Sequence, residues 1–240
     1  MLLGSLGGGV RYAFTTRSAG FSSPPFDTLN LSFDVGDNPA SVETNRRAVL
    51  ERLRVRRAVW LTAQHGGSVA VIGAADDPEP DRQFAVDGLV TTIADVALAA
   101  LAADCALVVL ADPRAGVLGV LHCGRAGLTA GIVSALVDEM RAQGATAVRA
   151  ATGPTICGRC YEVGDDVAAA VTSVVPLARS LAYSGRPALD VKAGVIAQLA
   201  DVGVHVVREV GGCTLEDDNV FSYRRDHRTG RQAALIWQVP

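Results

Sequence analysis

LAADCALVVLADPRAGVLGVLHCGRAGL, residues 101–128, decides the fold. It holds two apolar runs joined by the turn ADPRAG. One run opens just after Cys105 and the other closes on His122. Short continuous runs rich in Val and Leu, bounded by turn residues, read as strands buried on both faces. Such a pair sets a thiol at the start of its first strand and an imidazole at the end of its second. Strand ends and loops are where sites are built.

Working outward, VRYAFTTR (10–17) reads as a strand rich in β-formers. The segment 18–39 is crowded with Ser, Pro, Gly, Asn and Asp, so it is a long irregular loop of the kind that usually carries function. NPASVETNRRAVLERL (38–53) predicts a helix with Asn38 as N-cap, Pro39 at the first helical position, and Val42, Arg46, Val49 and Leu53 on one face. Residues 57–73 read as strand, turn carrying His65, strand. DDPEPDRQ (76–83) is a polar surface loop. Residues 86–124 form a set of short β-like runs whose Ala-rich middle fits helix or strand. Downstream come helices at 128–144, 165–175 and 189–203, and strands at 147–154, 204–210 and 231–239. There is no repeat and no linker. The alternation predicts one α/β domain over residues 1–240, with mixed β-sheets flanked by helices.

At 49% hydrophobic, 20% charged and net charge −3 over 240 residues, the chain is globular, and nothing points to nucleic acid or an anionic membrane surface. The N-terminus lacks the basic and apolar regions of a signal peptide, and the run 96–110 is interrupted by Asp104 and too short to span a bilayer. A cytoplasmic protein is expected. Its oligomeric state is not readable.

Five cysteines, an odd count without a secretion signal, argue for thiols rather than disulfides. Four histidines limit the metal chemistry. His65, Cys105 and His122 each stand at a predicted strand end and together suit Zn²⁺, with a fourth position open for water or substrate. The competing reading is a buried cysteine and two hydrogen-bonded histidines. Copper fits less well, because four histidines cannot supply a multicopper cluster and Met1 and Met140 are the sole axial candidates. His205, in a strand, and His227, in a charged turn, are not expected to be ligands. Cys157-Gly-Arg-Cys160 lacks an obvious second pair, since Cys123 and Cys213 alone remain, and its flanks do not suit a redox motif. It reads as structural or incidental thiols. Arg17, Arg125, Arg224, Arg225 and Arg231 lie in or beside turns, and FSYRRDHRTGR (221–231) could hold an anionic or ring-bearing ligand.

FTTRSAGFSSPPFDTLNLSFDVGDNPASVETNRR, QHG, ADC, GVLGVLHCGRAGL, GPTICGRCYEVG, CT (213–214) and FSYRRDHRTGRQAALIW occur in that order. Together they resemble the YfiH family, also called the laccase-domain or peptidoglycan-editing-factor family, from about Arg11 to Trp237. The resemblance implies a layered α/β fold and a zinc site made by His65, Cys105 and His122. It also implies phosphorolysis of adenosine, inosine and methylthioadenosine, with adenosine deamination alongside. Carried over by position, Arg17 is a phosphate-site candidate, and with Cys105 and Asp104 it makes up the catalytic candidates. Arg17, Asn30, Ser32, Arg125 and Arg225 are the candidates for binding nucleoside and phosphate. Arg17 has a second reading, an ion pair with Asp27 or Asp34 that pins the loop. Asp104 is either a proton shuttle or a turn carboxylate. The same family also suggests a zinc amidase that edits a cell-wall precursor, a copper oxidase of phenols, or a binding module without turnover. The family's QVHG, ADCVP and HAGWRG read AQHG, ADCAL and HCGRAG here. The three ligands survive while their neighbours change.

Overall fold

Both apolar runs of 101–128 are strands, Ala106–Asp112 and Val117–Cys123, paired antiparallel with Leu107 opposite His122. The computed structural model in which they lie describes residues 1–73 and 82–239. The surface loop expected at 76–83 falls, up to residue 81, outside the described residues.

In chain order the elements are β1 (Leu2–Gly7), β2 (Val10–Phe14), α1 (Pro39–Leu53), β3 (Ala58–Leu61), β4 (Val69–Ile72), β5 (Gln83–Phe84), β6 (Gly88–Thr91), β7 (Ala97–Ala102), β8 (Ala106–Asp112) and β9 (Val117–Cys123). Then follow α2 (Arg125–Ala130), α3 (Ile132–Ala142), β10 (Arg149–Thr152), α4 (Asp165–Val174), β11 (Arg179–Leu181), β12 (Pro187–Leu189), α5 (Val191–Asp201), β13 (His205–Glu209), α6 (Tyr223–Asp226) and β14 (Gln232–Gln238). Two six-stranded mixed sheets form, in the orders β1-β2-β14-β7-β3-β5 and β13-β10-β8-β9-β6-β4. No helix among the described residues is long and apolar enough to cross a membrane.

The alternation of side chains stacks these sheets. Leu107, Val109 and Ala111 of β8 and Leu118 and Val120 of β9 meet Val59, Leu61, Leu98, Ala100 and Ala102 of the first sheet. The opposite faces of β8 and β9 bury Ala106, Val108, Leu110, Leu121 and Cys123 against α2, α3 and α5. The outer face of the first sheet, with Trp60, Ala97, Ala99 and Leu235, is covered by α1 and by Leu29 and Leu31 of the long loop. The Ala-rich segment is therefore strand β7. Its helix propensity yields to a place between two buried faces, where small side chains fit.

α1 has the cap expected of it, with Asn38 accepting from Ala40 N–H and Pro39 at the first turn. Its buried face holds Asn45 and Arg46 as well as Val42 and Val49, and these two polar side chains secure the long loop. Asn45 binds Phe21 N–H and the carbonyls of Thr28 and Asn30. The Arg46 guanidinium stacks on Phe33 and Trp60. The helix expected over 128–144 opens earlier, at Arg125, and breaks at Gly131, whose φ of 75° suits glycine. β1 was not foreseen. It pairs with β2 across a turn of three glycines.

The β8–β9 turn is set by Asp112, which is 1% exposed. One carboxylate oxygen accepts from Arg114 and Ala115 N–H and the other from Thr146 and Ala147 N–H. Burial opposes its ionisation, but these backbone donors outweigh it and hold the carboxyl at about 2. Because its folded pKa is depressed, its contribution is present above the ordinary carboxylate range and is lost as pH falls from about 4 toward 2. Asp112→Asn is expected to lower unfolding free energy near pH 7 by roughly 2 kcal/mol. The gap between variant and parent is expected to narrow at pH 3 in denaturant titrations. A gap independent of pH would show that the carboxylate charge is not what holds the turn.

Candidate metal centre

Two crossings between the sheets meet at one end. The β3–β4 connection, which carries His65, passes from the first sheet to the second, and so does the β7–β8 connection, which carries Asp104 and Cys105. β9 brings His122 to the same end, on the face that looks toward the first sheet. The ligand atoms of His65, Cys105 and His122 all lie within 4.8 Å of one another. The two imidazoles meet edge to face, centroids 4.9 Å apart. Gly124 permits this closeness, since a Cβ there would stand 3.0 Å from Cys105 Sγ and 3.3 Å from the His65 ring.

Asp87, fully buried just before β6, organises the set. Its Oδ1 takes His122 Nδ1 at 3.0 Å and the N–H groups of Gln64 and His65 at 3.1 and 2.9 Å. Its Oδ2 takes Gly66 N–H at 2.7 Å. A carboxylate on Nδ1 fixes the tautomer and presents Nε2 as the ligand atom. The same contacts hold His65 in a left-handed backbone conformation, φ 57°. Burial opposes ionisation of Asp87, but the hydrogen bonds from His122 and Gly66 prevail and lower its pKa. Burial likewise opposes a Cys105 thiolate, yet the charge of His122 and hydrogen bonds from both histidines bring the thiol down to about 6. His122 is raised in turn, because the charges and hydrogen bonds of Cys105 and Asp87 outweigh its burial. One thiol primed to ionise and two imidazoles, at the rim of a cavity, fit a borderline cation such as zinc with a position left for substrate.

The cavity above the donors measures about 570 Å³. Its floor is Asp104, Cys105 and His122. Tyr161 and Tyr223 supply ring walls, and Arg125, Arg224 and Arg231 supply cationic ones. Arg224 lies over the Tyr161 ring and donates to Glu162 O. Arg231 donates to the carbonyls of Thr229 and Gly230.

Among the residues singled out in the sequence, His65, Asp104, Cys105, His122, Arg125, Arg224 and Arg231 come together here. Four others do not line the cavity. Arg17 sits in a salt bridge with Asp27 at 3.2 Å, also donates to Asp27 O, and stacks on Phe221. Its pairing reading describes these contacts. Asn30 and Ser32 are buried, joined to each other, and Asn30 accepts from Arg231 N–H. Arg225 spends its guanidinium on the carbonyls of Thr214 and Val220 and on Asp226. Asp104, in a left-handed conformation (φ 95°), accepts from Thr214 Oγ1 at 2.5 Å and Arg224 N–H at 2.7 Å. His205 and His227 lie outside the donor group. The sequence alone does not single out Asp87, because Asp-Gly before a strand reads as a turn, or Tyr161, which stands in a loop without period, whereas Tyr223 belongs to the segment 221–231 expected to hold an anionic or ring-bearing ligand.

Fold and site together define a layered α/β protein with a Cys-His₂ donor set under an aromatic and cationic cavity. The model of the family described as multi-copper polyphenol oxidoreductase laccase matches residues 11–239, and the chain belongs to that family. A Streptomyces griseus protein named purine nucleoside phosphorylase is 47% identical over 237 residues, covering 96% of this chain and 95% of that protein. One of the same name from Streptomyces coelicolor is 46% identical over 235 residues, 95% of this chain and 96% of that one. Among solved structures, YlmD of Geobacillus stearothermophilus is similar with a TM-score of 0.87 at 31% identity, covering 97% of this chain and 93% of its own. Bacillus licheniformis YfiH gives 0.86 at 30%, covering 96% and 93%. The family expected from the motifs is thus the one found.

Asp87→Asn is expected to weaken zinc binding by about 10–100-fold, the usual loss when a carboxylate that orients a ligand histidine is removed. Competition with a chromophoric chelator measures it. Unchanged affinity would confine Asp87 to shaping the 64–66 turn.

Proposed function

We propose that the chain is a zinc-dependent purine nucleoside phosphorylase acting on adenosine, inosine and methylthioadenosine, with adenosine deamination as a second activity of the same site. The observation that supports this most is the composition of the cavity: tyrosine rings and guanidinium groups facing one another over a Cys-His₂ donor set. The volume suits a nucleoside. The names of the relatives favour the same reading. Zinc is favoured over copper because the donor group contains two histidines and one thiolate, and Met140 is buried in the helix-side core rather than at the cavity.

His65, Cys105 and His122 would hold the ion, which supplies Lewis-acid polarisation and an acidified water when bound. Tyr161 and Tyr223 offer ring faces to the base. Arg125, exposed at the cavity rim, and Arg231, in the wall, supply the positive charge that orients phosphate against the anomeric carbon. Burial lowers the pKa of Arg231, opposed by the negative charges of Cys105 and Asp104. Asp104 has protein donors on both oxygens, which suits it to position the backbone at Cys105 rather than to carry a proton.

The test is product analysis with and without phosphate. Phosphate-dependent release of free base and ribose 1-phosphate is expected, with inosine and ammonia from adenosine as the second reaction. Turnover of a muramyl-serine precursor with none of any nucleoside would replace this reading by the amidase. Arg125→Met is expected to lower phosphorolysis by at least about 10-fold, the loss of one charge-assisted anion contact, with zinc content unchanged. Arg17→Lys is expected to lower both activities together with the melting temperature, because it loosens the Asp27 tie. Selective loss of phosphorolysis at an unchanged melting temperature would return Arg17 to phosphate binding.

A further inference from the structure

A second cluster of donors lies outside the catalytic candidates. Cys157, Cys160, Cys213 and Glu216 place their ligand atoms within 4.8 Å of one another. They come from two tight turns. In the first, Cys160 and Tyr161 N–H both donate to Cys157 O. In the second, Glu216 and Asp217 N–H both donate to Cys213 O. The sequence thus contains Cys-x-x-Cys and, after 52 intervening residues, Cys-x-x-Glu, each folded into the same kind of turn. A search for a second cysteine pair overlooks the glutamate.

We propose that these four residues form a second metal site, a closed tetrahedral Cys₃Glu zinc site with a structural role. Zinc–sulfur distances of about 2.3 Å put the sulfurs of a tetrahedral site about 3.8 Å apart, so the donors need close by only about 1 Å. Further groups are arranged as surroundings of a metal site commonly are. The Cys157 N–H donates to Cys213 Sγ at 3.3 Å, and the Tyr183 hydroxyl donates to Glu216 at 3.2 Å, orienting its carboxylate. Three thiolates and a carboxylate around Zn²⁺ leave a double negative charge. Arg159, within the first turn and stacked on Tyr183, and half-buried Lys192, close enough to interact electrostatically with Cys157 and Cys213, offset it. A disulfide would use two of the sulfurs and leave the third thiol and the carboxylate without a role. All five cysteines are free thiols here.

The placement explains what the clip is for. The first turn runs between Ile156 and Tyr161, both of which line the cavity. The second contains Thr214, which donates to Asp104 beside Cys105, and Leu215, whose carbonyl with that of Thr214 receives Arg225. Joining the turns therefore ties two cavity walls together at a point away from the substrate.

The experiment is metal analysis of protein purified without added metal, under reducing conditions. Two zinc ions per chain are expected in the parent. Cys105→Ala and Cys160→Ser are each expected to retain one, and the double variant none. In the Cys105→Ala protein, Co²⁺ is expected to give thiolate charge-transfer absorption and zinc to raise the melting temperature. Both responses are expected to vanish in the double variant. Should Cys160→Ser fail to fold, the parent still decides, because zinc is expected to shield Cys157, Cys160 and Cys213 from alkylation, and all three are expected to be alkylated once a chelator removes it. A Cys105→Ala protein that binds no metal, or a parent whose three thiols alkylate equally with and without zinc, would overturn the proposal. So would a disulfide among them in freshly isolated protein. Since the primary site is deleted in that comparison, failure here leaves the phosphorylase reading standing.

Discussion

One buried carboxylate holds the centre together. Asp87 receives four hydrogen bonds, one from the His122 ring and three from consecutive backbone N–H groups of residues 64–66. Each alone is ordinary. Their convergence on a single ion means that the imidazole of one sheet and the crossing loop that carries the other imidazole share one anchor. Removing it would strand the buried His122 Nδ1–H, whose desolvation costs more than a typical hydrogen bond contributes. It also sets the electrostatics. The negative charge next to His122 favours its protonation when the thiol ionises, and a cation bound there would take the place of that proton. The site is therefore organised before any ion arrives, which limits the reorganisation that binding demands.

The location of this anchor follows from the way two sheets are stacked. Strands buried on both faces have no polar side chains to spare, so chemistry is confined to their ends. The connections that pass from sheet to sheet, β3–β4 and β7–β8, must run around an edge, and there the backbone leaves the pleat. His65 and Asp104 adopt left-handed conformations at those bends. Such backbone is sustained by surrounding contacts rather than by intrinsic preference. Two of the donors, His65 and Cys105, thus stand where the fold already needs irregular backbone, and the third, His122, reaches them from the end of regular strand β9.

Much of this was legible in the residues. The apolar runs about the ADPRAG turn, the Asn38–Pro39 helix start and the strand-end positions of His65, Cys105 and His122 are local signals, written within a few positions of one another. Three kinds of information were not. The Ala-rich β7 has no periodicity that separates strand from helix, and only its neighbours decide. β1 is short, and its Gly-rich turn gives little pattern. Asp87 gains its meaning from residues 21 to 35 positions away, which no window of sequence displays.

The arginines show the same division most clearly. Arg17, Arg125, Arg225 and Arg231 look alike in sequence, each beside a turn and suited to an anion. In the fold their guanidinium groups meet different fates according to what remains unsatisfied nearby. Arg225 sits among the carbonyls of an irregular loop, which need donors because no ladder supplies them, and it is consumed there. Arg17 meets Asp27 across the base of the long loop and is neutralised. Arg125 follows Gly124 at the cavity rim, where the chain turns into α2 and its own backbone carbonyls are used by the helix. The carbonyls of an irregular loop and a facing carboxylate thus take up Arg225 and Arg17, while Arg125 stays exposed at the cavity rim. That contrast, rather than residue type, favours the cavity wall over the long loop for the proposed phosphate contact.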